Sequence, residues 1–202
     1  VSFALSGDVK RGSMIRRCTH HRQACRVVDT FAGCQRLALQ RVCPDPTAAP
    51  RQCAALAQQS GASDDLIIAS LLHDVGHLLE LESKSGNVNI DIDDRHEATG
   101  TRYLAKSFGS GITAPIALHV DAKRYLCAVE PTYFNTLSEG SVRSLELQGG
   151  PMTDEEARRF EGLAGFEDSV SLRRWDEQGK ILDLEVAPFS SYVPMMQSLL
   201  SR

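Results

Sequence analysis

Long apolar runs are missing from this 202-residue chain. The longest, such as DLIIASLLHDV, is broken by polar residues well short of the roughly 20 needed to span a bilayer. No basic segment leading into an apolar one opens the chain, so a soluble, non-secreted, cytoplasmic protein with no membrane partner is expected. Strand-like alternation is scarce, confined to ILDLEV over Ile181–Val186, and there are no repeats or low-complexity tracts. Acid is nearly absent from the first quarter. Residues 1–51 carry eight arginines and one lysine against three aspartates and no glutamate, a formal +6, which leaves −10 for the remainder of a chain whose net charge is −4. That quarter also lacks interleaved aromatics, having only Phe3 and Phe31, so no nucleic-acid partner is expected, although an Arg-rich, acid-poor stretch also suits an organelle transit segment. Four of the six cysteines (Cys18, Cys25, Cys34 and Cys43) crowd into it, with only Cys53 and Cys127 elsewhere. This fits reduced thiols better than a secreted disulfide scaffold. CTHHRQAC, Cys18 to Cys25, offers zinc-type ligands, but its spacing matches no recognised finger.

A hydrophobic content of 42% suffices for one core, and from Gln52 onward the pattern is helical. QCAALAQQSG reads as a helix that stops at Ser60-Gly61. Ser63 caps a second helix whose Leu66, Ile67, Leu71, Val75 and Leu78 recur at three and four. The polar stretch ESKSGNVNIDIDD follows as a loop, with Asp91, Asp93 and Asp94 facing solvent. Further helices are expected from about Asp94 to Gly109, at Ala114–Val120, Ser138–Leu147 and Thr153–Leu163, then through SVSLRRWDEQGK to Gly179, and last in SSYVPMMQSLL. Thr153 with Glu156 forms a capping box. The expected fold is all-α, an aberrant basic segment over residues 1–51 preceding one helical domain over 52–202.

Four of the six histidines fall between residues 73 and 119. His73 and His77 stand one turn apart on the second helix and share a face, with Asp74 on the adjacent surface, while His96 and His119 come from later helices. A lone histidine is more often an ordinary core or surface residue. Four on helical patterns, one abutting an aspartate in an apolar run, point instead to a metal. Imidazole and carboxylate suit iron, zinc or manganese, and one carboxylate can bridge two ions.

The HD pair in LLHDVGH, with isolated His96 and His119 and the distant Asp176, resembles the HD-domain superfamily of metal-dependent phosphohydrolases, helical bundles that gather such residues at one or two metals. HVDAKRYL, LSEGSVRSLELQGGPM and RRWDEQGK resemble its phosphonate-degradation branch, the mixed-valent di-iron oxygenases that cleave 2-amino-1-hydroxyethylphosphonate to glycine and phosphate. The resemblance runs from about Gln52 to the end of the chain. It implies an HD-domain helical bundle with two iron ions as an Fe(II)/Fe(III) pair, O2 as co-substrate and a small organophosphonate as the other. It makes Asp74 the bridging carboxylate, His73 and Asp176 ligands of one iron, and His96 and His119 ligands of the other. Lys123, one turn after His119, would hold the phosphonate, with Asp74 and Lys123 as the catalytic pair. His77, Ser141 and Arg173 would be further substrate contacts, and Gln148–Met152 a structural turn. The trimethylammonio analogue as substrate, a metal-dependent phosphohydrolase acting on a phosphomonoester, and a non-catalytic remnant are the competing readings. The sequence leaves the oligomeric state open.

The resemblance also implies a histidine three residues before Gln52 and a tyrosine and a glutamate upstream, where this chain has Ala49, Leu39 and Val42. Asp45–Cys53 can be encoded by codons that, read one base later, give Thr-Gln-Leu-Gln-His-Pro, which returns a histidine to the place of Ala49. Out-of-frame GC-rich DNA also yields Arg, Ala, Pro and Cys with few Glu, as in residues 11–51. The expectation is a frameshifted first quarter, which sequencing the gene tests. For the chain as written, it is an ill-formed helix at position 49, weak metal binding and little activity. Loss of a ligand outweighs loss of an outer partner, itself about 10- to 100-fold in affinity.

Overall fold

Ser63 and Thr153 start helices in the way their sequence context predicts. In the computed structural model, which describes residues 48–83, 95–181 and 184–200, the Ser63 side chain accepts from Leu66 N, and Thr153 and Glu156 form the reciprocal capping box. The described chain is all-α: α1 (Ala48–Gln59), α2 (Asp64–Leu72), α3 (Val75–Ser83), α4 (His96–Leu104), α5 (Ser110–Val129), a 3-10 turn at Tyr133–Thr136, α6 (Glu139–Leu147), α7 (Asp154–Glu161), α8 (Phe166–Gln178), a second 3-10 turn at Phe189–Tyr192 and α9 (Val193–Ser198). Among the described residues no strand forms, only an isolated bridge between Phe108 and Leu200, so the described part of ILDLEV is not a strand. No described helix is long and apolar enough to cross a membrane. Residues 1–47 and 84–94, with the basic segment's cysteines, Leu39, Val42 and the loop aspartates, lie outside the described residues.

α2 sits at the centre. Every residue from Leu66 to Leu72 is buried, so the helix is enclosed on all sides rather than amphipathic. It packs against α1, α5 and α8, while α5, twenty residues long, also packs against α4. The core runs through Ile68, Leu71, Leu72, Leu78, Leu104, Ile112, Ile116 and Leu172. A smaller cluster of Ala122, Met152, Ala157 and Phe160 joins α7 to α5. The turn at Gln148–Met152 is structural: Gly149 and Gly150 take positive φ, Arg124 Nε donates to Gly150 O at 3.0 Å, and Met152 N donates to Arg124 O at 3.2 Å.

Three boundaries depart from expectation. The helix read from Ala114 to Val120 is α5, from Ser110 to Val129, because the core continues through Ala122 and Leu126. The helix read as reaching Gly109 ends at Leu104. The single helix read through LLHDVGHLLE is two, since α2 stops at Leu72, His73 and Asp74 form a turn, and α3 starts at Val75. α1 does form, and begins at Ala48, contrary to the expectation of an ill-formed helix around Ala49.

Candidate metal and anion site

The break at His73-Asp74 does what a continuous helix could not. Neighbours on a regular helix diverge by about 100°, so adjacent His and Asp side chains would not meet. Here His73 Nε2 lies 3.3 Å from Asp74 Oδ2 and 3.5 Å from Asp176 Oδ1 on α8. The chain tightens where α3 meets α4: a Cβ on Gly76 would stand 2.0 Å from the His96 carbonyl oxygen, so only glycine allows this approach. The His77 ring stacks on His96 at 3.8 Å between centroids.

The imidazoles are oriented from behind. His73 Nδ1 is 2.8 Å from Ser70 O and His119 Nδ1 is 2.7 Å from Ile116 O, each donating to the carbonyl three residues earlier. That turns both Nε2 atoms inward, His119 Nε2 as an acceptor and His73 Nε2 toward Asp74 and Asp176. Burial opposes charge on His73, but the two carboxylates hold its pKa well above the usual imidazole value until a metal replaces the proton. His96 Nε2 points to His119 Nε2 at 3.2 Å and to Asp74 Oδ1 at 3.8 Å, and His96 Nδ1 lies 3.8 Å from Glu97 Oε2. Asp74, His96 and His119 therefore bring three ligand atoms within 4.8 Å of one another, and His73 joins Asp74 and Asp176 beside them.

These residues fit a metal. His73 Nε2 is fully buried between the carboxylates of Asp74 and Asp176, a donor set that suits a shared metal cation. His96 Nε2 and His119 Nε2 face each other at 3.2 Å, a hydrogen bond that metal binding would replace. Burial and the neighbouring His96 and His73 push the His119 pKa well below the usual imidazole value, which keeps it neutral. Burial resists ionisation of Asp176, yet Arg173 and His73 hold its carboxyl well below the usual range. For Asp74, His73, His77 and His96 likewise outweigh burial. Neutral imidazoles and ionised carboxylates are the states that bind metal. Ala49 stands one turn before Cys53 on α1, the helix that packs against α8, and offers no donor. The Cys53 thiol, pushed up to about 12 by burial, stays protonated and points to Leu172 O at 3.8 Å.

Beyond Asp176 lies a cluster of cations. Lys123, only 4% exposed, donates to Ser144 Oγ at 2.6 Å, and burial, then Arg173 and Lys180, bring its pKa down to about 8. Arg173 donates to Asp176, to Glu177, to Tyr133 OH at 3.0 Å and to Ser141 Oγ at 3.2 Å. Lys180 reaches Ser141 Oγ at 2.8 Å and Glu177 Oε2 at 2.9 Å. The sequence reading named Lys123, Ser141 and Arg173 but missed Ser144, Glu177 and Lys180. Their signal was present, since Arg173, Asp176, Glu177 and Lys180 recur at three and four around α8 and its end. Gln52 secures that end, donating to Ile181 O at 2.8 Å and Leu184 O at 3.2 Å and accepting from Ile181 N at 3.1 Å.

A buried His/Asp cluster able to hold a metal thus lies beside a cluster of cations and hydroxyls suited to an anion. Known proteins agree. The chain is 46% identical over 149 residues to the hydroxymethylphosphonate dioxygenase of Gimesia maris, covering 74% of each. It is 42% identical over 153 residues to the glycine-betaine-forming [1-hydroxy-2-(trimethylamino)ethyl]phosphonate dioxygenase of Leisingera caerulea, covering 75% of this chain and 76% of that one. It is 38% identical over 152 residues to uncharacterized protein L432 of Acanthamoeba polyphaga mimivirus, covering 73% and 68%. No family profile matches the chain. The chain belongs to the family of phosphonate dioxygenases.

Proposed function

We propose that this protein is an HD-type, iron-dependent oxygenase that cleaves the carbon–phosphorus bond of a small 1-hydroxyalkylphosphonate, giving a carboxylic acid and phosphate. The reaction takes up one O2 per bond cleaved: C1 is oxidised to a carboxylate and the phosphorus leaves as phosphate. The observation that carries this reading is the adjacency of the two halves across one helix turn, with Asp176 touching His73 on one side and Arg173 on the other. Two relatives named for this chemistry on 1-hydroxyphosphonates support it.

In this reading His73, Asp74, Asp176, His96 and His119 would hold two iron ions. Iron, when bound, supplies the activation of oxygen and a Lewis acid for the substrate's C1 hydroxyl. The chain's own residues bind and orient. Lys123, Arg173, Lys180 and Ser141 neutralise the phosphonate and set C1 toward the metals, and the apolar shell around α2 keeps water from the reacting carbon. His77, stacked on His96, borders the substrate side. Ala49 offers no side-chain donor, so one of the two irons would lack a ligand that the resemblance implies and would be retained more weakly. Residues 1–51 read as an aberrant, frameshifted segment.

The test is iron content after anaerobic reconstitution with ferrous iron, followed by phosphate release from hydroxymethylphosphonate, 2-amino-1-hydroxyethylphosphonate and its trimethylammonio analogue, with and without oxygen. Oxygen-dependent release from at least one of the three is expected. Release from a phosphomonoester without oxygen would overturn the reading in favour of a hydrolase.

A further inference from the structure

The cationic pocket is not waiting empty-handed. Glu177, whose side chain is only 5% exposed, takes four donors onto one carboxylate. Its Oε2 accepts from Ser141 Oγ at 2.8 Å, from Lys180 Nζ at 2.9 Å and from Arg173 Nη2, and its Oε1 accepts from Ser138 N, the cap of α6, at 2.6 Å. Lys123 is differently placed, since it donates to the Ser144 hydroxyl rather than to a carboxylate. The pocket thus has a ready cation in Lys123 and a committed set in Arg173, Lys180 and Ser141.

Ser141 makes the conflict concrete. A hydroxyl has a single proton to donate, and here it goes to Glu177. A phosphonate oxygen cannot take that proton while Glu177 holds it. We propose that Glu177 is a resident counter-anion of the pocket, which an incoming phosphonate or phosphate dianion must displace from Ser141, Lys180 and Arg173. This rests on the reading of the pocket as the phosphonate site. Glu177 is a positioning residue in this scheme: it holds the three donors converged while no substrate is bound, and its competition sets how tightly a dianion is retained. Lys180, 30% exposed, is the most open charged side chain of the cluster, so an incoming dianion would approach beside it.

A competitor and a scaffold make opposite predictions. With inorganic phosphate as the probe, titrated calorimetrically into the iron-loaded protein, Glu177→Gln is expected to lower the dissociation constant by about tenfold, as expected when one charge-assisted contact no longer competes. Glu177→Asp keeps the charge but withdraws the carboxylate by one methylene. It is expected to tighten binding by a smaller factor, and it carries the test if the Gln variant does not fold. Unchanged or weaker phosphate binding in a folded variant would overturn the inference and make Glu177 a scaffold for Arg173 alone. Failure of the unaltered protein to bind phosphate at all would overturn the phosphonate reading together with this one, whereas binding that Glu177→Gln leaves unchanged strikes only this one.

Discussion

His73, His96 and His119 converge from three separate places: a turn between helices, the first residue of α4 and the middle of α5. Arg173, Asp176 and Glu177, in contrast, come from one helix at spacings of three and four, with Lys180 just beyond its end. The metal half therefore depends on how four helices pack, and a shift of any one of them by an ångström separates the donors. The cationic half is largely prearranged by a single helix and needs only α5 and α6 to bring Lys123, Ser141 and Ser144 to it. The halves share one group, Asp176, which touches His73 and Arg173 alike. The lesson is that donors needing ångström-level convergence sit against the densest core, beside the buried Leu66–Leu72 stretch of α2, whereas the cationic cluster is built largely from one helix end, with only Lys180 substantially exposed among its charged groups.

The most damaging way to separate the halves is at Asp74. Asp74→Ala is expected to lower retained iron below one ion per chain and to reduce oxygen-dependent phosphate release by more than about 100-fold, while phosphate binding at the cationic half persists. Metal analysis beside calorimetry reads both. Equal loss of phosphate binding would show that the halves are not independent.

Gly76→Ala attacks the packing instead of the ligands. A Cβ placed 2.0 Å from the His96 carbonyl must push α3 and α4 apart, at a cost of about 3 kcal/mol seen in chemical denaturation, and iron retention falls with it. Stability within about 0.5 kcal/mol of the unaltered protein would mean that the α3–α4 contact is looser than described.

A smaller effect sharpens the cationic half alone. The Lys123 pKa, near 8, is depressed by burial first and by Arg173 and Lys180 next. The ammonium is thus charged below pH 8 and loses its proton as the pH rises through that value. The KM for phosphonate is expected to rise about tenfold by pH 9, where roughly one molecule in ten keeps the proton. Lys123→Arg stays charged and removes this alkaline limb without changing iron content. A limb that survives in the arginine variant belongs to another group.

Far from both halves, Thr153→Ala removes the capping box of α7 and is expected to cost about 1 kcal/mol of stability, read as a lowered Tm, with activity unchanged. A drop in activity at constant iron content would extend the site's dependence on packing to α7.

Much of this was legible in order along the chain. The helix starts at Ser63, Ser138 and Thr153 follow from side chains that accept backbone N–H groups a few residues on, which is local chemistry. The stops at Gly61 and Gly179 are equally local. Position 73 was less legible: periodicity alone continues the helix through LLHDVGHLLE, and nothing within those ten residues reveals that His96 lies across Gly76. The extent of α5 was hidden for a related reason, since its second half is fixed by Ala122 and Leu126 meeting a core built from elsewhere. Glu177 was passed over because a charged residue beside other charges reads as a solvated face until its 5% exposure is known.

By itself, then, the sequence determined an all-α chain and the kinds of side chain gathered for its chemistry: imidazoles, carboxylates and a lysine one turn beyond a histidine. These depend on spacing and residue type, which are linear properties. Tertiary structure alone decided that His73 and Asp74 meet at a break, that His77 stacks on His96, and that Glu177 holds the donors a phosphonate would need. Each of these is a distance between residues remote in sequence or turned out of helical register, and the close packing of buried helices fixes such distances.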